Sequence, residues 1–168
     1  MPDTDALVIN TSPILALIAA LGDLRMLQMY SQVYVPFEVC QEILIGGASG
    51  FGVAEFQAAH WLKKHNAPVE LLPYLNNSLD RGEAAVIQSA LQFGVRTVCI
   101  DEAVGRRVAR LCGLNVTGSI AVLLRAWREG TPFSMRDAIR RMQQHGIRLS
   151  ARVIDFALIQ TGEHTGKA

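Results

Sequence analysis

A chain of 168 residues, half of them hydrophobic and with positive mean hydropathy, can bury a core, which excludes a disordered polypeptide. The net charge of +1 hides an asymmetry: residues 1–95 hold four Lys/Arg against nine acids (−5), and residues 96–168 twelve against six (+6). An acidic half beside a basic half would set a metal-binding edge next to a phosphate-binding surface; solvated helix faces that differ in charge by chance are the plain alternative.

The first apolar run is no membrane span, because Asn10-Thr11-Ser12-Pro13 interrupts it well short of about 20 residues. Asp3 and Asp5 stand where a signal peptide needs basic residues. The three cysteines (Cys40, Cys99, Cys112) form no C-x-x-C pair and lie in apolar segments, which fits a reducing cytoplasm without disulfide or structural zinc.

Leu7-Val8-Ile9 suits a strand buried on both faces, Ser12 a helix N-cap, and Pro13 the first helical position. Taken alone this favours an ordinary βα turn. A second short helical piece is expected through Tyr30, then the strand Val33–Val35 and a helix from Phe37 to about Ile45. On that helix Glu38 and Glu42 share a face; either both are solvated or one faces a cation. Residues 46–52, with four glycines, read as a linker or a mobile lid but not a P-loop. Val53–Lys64 is expected as an amphipathic helix burying Ala54, Ala58 and Trp61, and Val69–Leu72 as a strand.

Leu79–Glu83 opens a helix running to Phe93, and Thr97–Ile100 is a second buried strand that places Asp101 at its C-terminal end. A helix to Cys112, the strand Leu114–Val116 and helices to Glu129, to His145 and from Ser150 to Gln160 follow. Gly162–Lys167 imitates part of a Walker motif, but its spacer is one residue short. Alternating strands and helices predict an α/β fold: a three-layer α/β/α sandwich around a parallel sheet of about four to five strands. One domain over 1–168 is expected, its core at about 6–130 and C-terminal helices at about 134–160.

Asn10 and Asp101 each end a buried strand, and neighbouring strands lie about 4.8 Å apart. Glu83 opens a helix and Glu42 lies on another, so all four can face one edge. A hard cation such as Mg²⁺ takes oxygen ligands of this kind, and it can activate water at a phosphodiester. His60, His65, His145 and His164 match no zinc spacing, and Ser12 lacks a G-x-S-x-G setting.

The pattern resembles a PIN domain, the nuclease fold of VapC-type toxins, and is closest to a prokaryotic branch labelled only as a domain of unknown function. The resemblance rests on Val8–Pro13, Val35-Pro36 with Glu42, Gly82-Glu83 with Ala90, Ile100-Asp101-Glu102, Gly113-Leu114 with Thr117-Gly118, Gly146-Ile147, Leu149-Ser150 and Gly162-Glu163. It implies a metal-dependent endoribonuclease using Mg²⁺ or Mn²⁺, the toxin half of a toxin–antitoxin pair. Asn10, Glu42, Glu83 and Asp101 would be its catalytic and metal-holding quartet, with Thr11 or Ser12 as the supporting hydroxyl. Arg106, Arg107 and Arg110 would bind the RNA backbone, with a solvated helix face as their plain alternative. Single-stranded RNA, an antitoxin protein and a second copy of the chain are the partners expected. Asn10 departs from the pattern, since PIN nucleases commonly carry Asp there. It favours the alternative, a catalytically impaired PIN-fold module that binds RNA or a protein.

Overall fold

Five strands, β1 (Ala6–Ile9), β2 (Gln32–Val35), β3 (Leu62–Lys64), β4 (Thr97–Cys99) and β5 (Asn115–Thr117), form one all-parallel sheet in the order β3-β2-β1-β4-β5. A computed structural model describes residues 5–46 and 49–164. All four residues of β1 are buried, as its unbroken Ala-Leu-Val-Ile run requires of a central strand covered on both faces. The chain adds β2 and β3 on one side of β1 and then returns to add β4 and β5 on the other. The order therefore reverses between β1 and β4, and ligand sites of open α/β sheets gather outside the strand ends at such a point.

Helix α1 (Thr11–Leu21) leaves β1 and packs on α7 (Ser119–Arg128) and α8 (Met135–Gln144), with α9 (Ala151–Gln160) against both α7 and α8. Arg141 of α8 donates to the Ala20 carbonyl in the last turn of α1 at 2.7 Å, satisfying a helix-end acceptor. In the other layer, α5 (Arg81–Phe93) packs on β1, β4, α2 (Phe37–Ile45), α4 (Pro73–Ser78) and α6 (Ala103–Leu111). Ser134 and Ser150 cap α8 and α9, each hydroxyl accepting an N–H three residues on. Both buried cysteines, Cys40 and Cys99, and the half-buried Cys112 are free thiols.

Three local expectations are corrected. Helix α1 begins two residues earlier, at Thr11 with Asn10 as N-cap, so Ser12 and Pro13 lie inside its first turn. The helix expected over 53–64 is only α3 (Val53–Ala58); Ala59 leaves helical geometry and the chain becomes the edge strand β3. Lys64 then turns back and donates to the Phe56 carbonyl at 2.7 Å. Phe56 is the buried residue of α3, while Ala54 and Ala58 are exposed and Trp61 is half-buried. Val69–Leu72 is not a strand, because side chains occupy its main chain: Glu38 Oε1 accepts the Val69 N–H at 3.1 Å and Gln88 the Leu72 N–H at 3.3 Å. In the glycine-rich stretch, residues 47–48 lie outside the described residues, as do 165–167 of the Walker-like stretch and Asp3 near the start.

Candidate metal centre

The main chain sets the frame. The Asn10 N–H donates to the Cys99 carbonyl at 3.0 Å, so β1 and β4 stay paired to their ends and Asn10 stands beside Ile100 at the switch point. Asn10 is 4 % exposed, and its Oδ1 is buried without a hydrogen-bond partner among the described residues. Such an oxygen costs about 1–3 kcal/mol unless something else satisfies it.

Asp80 caps α5 by accepting the Glu83 N–H at 2.8 Å. This short-range bond brings two carboxyl groups together at one helix N-terminus, where the dipole favours negative charge. Glu102, at the start of α6, completes a group in which one oxygen of each residue lies within 4.8 Å of the others. Glu83 is 5 % exposed and its Oε2 also has no partner, while Asp80 and Glu102 are exposed. Burial first, then the adjacent Asp80 and Glu102, push the Glu83 carboxyl up to about 9.

The remaining expected residues surround this group without all joining it. The Thr11 hydroxyl donates to Glu42 Oε2 at 2.7 Å, and the Ser12 hydroxyl to Glu102 Oε1 at 3.2 Å. Burial pushes the Glu42 carboxyl up, Thr11 pulls it back, and the charges of Asp80 and Glu102 push it up again. Glu38, four residues earlier, is buried and accepts from Val69; it is not a solvated partner of Glu42. Asp101 Oδ1 accepts the Ser119 N–H at 2.8 Å where α7 begins. Among the described residues it is not one of the acids whose oxygens crowd within 4.8 Å.

Asp80 and Glu102 are the residues sequence reasoning missed. Asp80 stood three residues before Glu83 in N-cap spacing, and Glu102 directly after Asp101. A further signal lay in three glycines, each making room for one carboxylate. A Cβ on Gly82 would collide with Glu42 Oε1, one on Gly105 with Glu83 Oε2, and one on Gly118 would lie 2.7 Å from Asp101 Oδ1. Arg106 is half-buried and donates to the carbonyls of Ile100 (2.8 Å) and Thr117 (3.2 Å), tying the ends of β4 and β5 together. Arg107 and Arg110 are exposed on α6.

A model of the protein family DUF3368, described as a PIN domain, matches residues 6–163. The chain belongs to the PIN-domain family. No curated protein matches it. PIN domains are generally nucleases and usually use divalent metals. This PIN domain has donors that suit such an ion: an all-oxygen set, with two buried oxygens, Glu83 Oε2 and Asn10 Oδ1, that receive no hydrogen bond among the described residues. No described helix is long and apolar enough to cross a membrane.

Proposed function

We propose that this PIN domain is a metal-dependent endoribonuclease that hydrolyses single-stranded RNA. The observation that carries the reading is the crowding of Asp80, Glu83 and Glu102 around Glu83 Oε2, which is buried and receives no hydrogen bond from any donor among the described residues. Three acids held this close repel one another, and Glu83 keeps its proton toward pH 9 when no cation is present. Glu83, Asp80 and Glu102 would hold Mg²⁺ or Mn²⁺, with Glu42, Asp101 and Asn10 completing or orienting the shell. When bound, the ion supplies an activated water and offsets the charge that builds on the phosphodiester.

The chain's own residues do the positioning. Thr11 and Ser12 fix the rotamers of Glu42 and Glu102 through their hydroxyls, and the Ser119 N–H fixes Asp101. Arg107 and Arg110 face solvent on α6 and neutralise backbone phosphates, while Arg106 mainly braces the strand ends. Within the proposal the domain is the toxin of a toxin–antitoxin pair, acts as a homodimer and works in the cytoplasm. Growth arrest on expression, relieved by a co-encoded small protein, tests the toxin role.

One observation favours a second reading. Asn10 offers an amide oxygen where a carboxylate would add charge, and an under-charged site describes a module that binds RNA without cutting it. Incubation of single-stranded RNA with Mn²⁺, Mg²⁺ or EDTA separates the two. Cleavage by wild type that needs the metal and vanishes in Asp101→Asn and Glu83→Gln supports the nuclease. Binding without cleavage in either metal supports the module.

A further inference from the structure

A groove of about 690 Å³ runs away from the acidic edge, with Ser12, Asp101 and Glu102 at one end. The first turns of α7 form one wall, α9 forms the other, and residues 147–150 form the rim. Its lining is mostly apolar, yet it carries two arginines, Arg106 and Arg148. Phe156 projects from α9 into this space and is 52 % exposed, beside Val153 at 38 %. An exposed aromatic ring and an exposed guanidinium that line one groove with Asp101 and Glu102 match the parts of a nucleotide at a metal site: base, phosphate and metal. A purely apolar peptide would leave Arg148 unanswered.

We propose that this groove is a nucleobase-stacking subsite that seats one nucleotide of single-stranded RNA next to the scissile phosphate. Phe156 is the stacking platform and Arg148 the phosphate contact. The inference rests on the nuclease reading of the acidic edge and adds what holds the strand there. Stacking on a phenyl face accepts any base, so the subsite contributes affinity and register with little sequence preference.

The test measures equilibrium binding of a fluorescent ten-residue oligouridylate, and of an abasic oligomer of equal length, to the full chain in EDTA. Phe156→Ala weakens oligouridylate binding about tenfold, Phe156→Trp restores it, and neither changes binding of the abasic strand. Arg148→Ala lowers the salt slope of binding by about one for both strands. Because Phe156 is half exposed, circular dichroism should show an unchanged fold in both Phe156 variants. Equal affinity of Phe156→Ala and wild type for oligouridylate overturns the subsite, even where wild type cuts RNA. So does a Phe156→Ala variant that changes only self-association, which assigns the groove to a second copy. A wild type that neither binds nor cuts RNA overturns the nuclease reading and the subsite together.

Discussion

Replacing Gly105 by Ala sets two effects of known size against each other. Gly105 lies in the first turn of α6, where Ala alone would stabilise the helix by up to about 1 kcal/mol. The new methyl, however, collides with Glu83 Oε2 and lies 3.0 Å from Ile100 Cγ2. Overpacking of this kind costs about 1–3 kcal/mol. The carboxylate has little room to retreat, since Asp80 and Glu102 already crowd it. The crowding should win by about 1 kcal/mol, lowering Tm by about 2–4 °C in a 168-residue chain. The metal response should change more. At a hundredfold excess over Kd, a ligand stabilises by about 2.7 kcal/mol, so Mn²⁺ should raise the wild-type Tm by about 5–10 °C. Displacing Glu83 should remove most of that rise. The assay is thermal unfolding of both proteins with Mn²⁺ and with EDTA. A Gly105→Ala protein that is more stable than wild type and keeps its full Mn²⁺ shift would refute the reasoning.

Further outcomes follow from the same geometry. The raised pKa of Glu83 means that the folded state binds its proton more tightly than the unfolded chain. Its contribution to stability is therefore complete below about 4.5 and is lost as pH rises through about 9. Metal-free wild type should lose stability relative to Glu83→Gln across that window, as denaturant titrations at several pH values will show. Asn10→Asp should tighten Mn²⁺ binding in calorimetry and lower the metal-free Tm, because it adds charge to a crowded edge; weaker binding would deny Asn10 a place near the ion. Arg107→Ala with Arg110→Ala should flatten the salt dependence of RNA binding by about two units of slope. An unchanged slope assigns both arginines to a solvated face.

Much of the fold was legible because it rests on local rules. The apolar run of β1, the serine caps of α8 and α9 and the strand that delivers Asp101 all follow from short stretches of chain. The edge strand was not legible. Leu62-Lys63-Lys64 carries no alternating pattern of its own and becomes a strand only by pairing with Val33–Val35. Val69–Leu72 shows the converse: its composition suits a strand, but Glu38 and Gln88, distant in sequence, take its N–H groups first. The same division holds at the site. Glu83, Asn10 and Asp101 could be nominated from where they stand at element ends and Glu42 from its place on a helix, whereas the contacts that bring Glu102 to Glu83 and Asp80, and the Ser119 N–H to Asp101, join segments remote in sequence. The glycines that make those contacts possible look like ordinary helix residues until the carboxylates are seen against them.

The central claim is that Glu83, Asp80 and Glu102 hold a divalent cation at the β1–β4 switch point. Crystals soaked in Mn²⁺ and measured for anomalous scattering test it directly. The account predicts a peak coordinated by Glu83 Oε2 together with oxygens of Asp80 and Glu102. A map with no peak there, or with Mn²⁺ bound only at some other part of the surface, would contradict it.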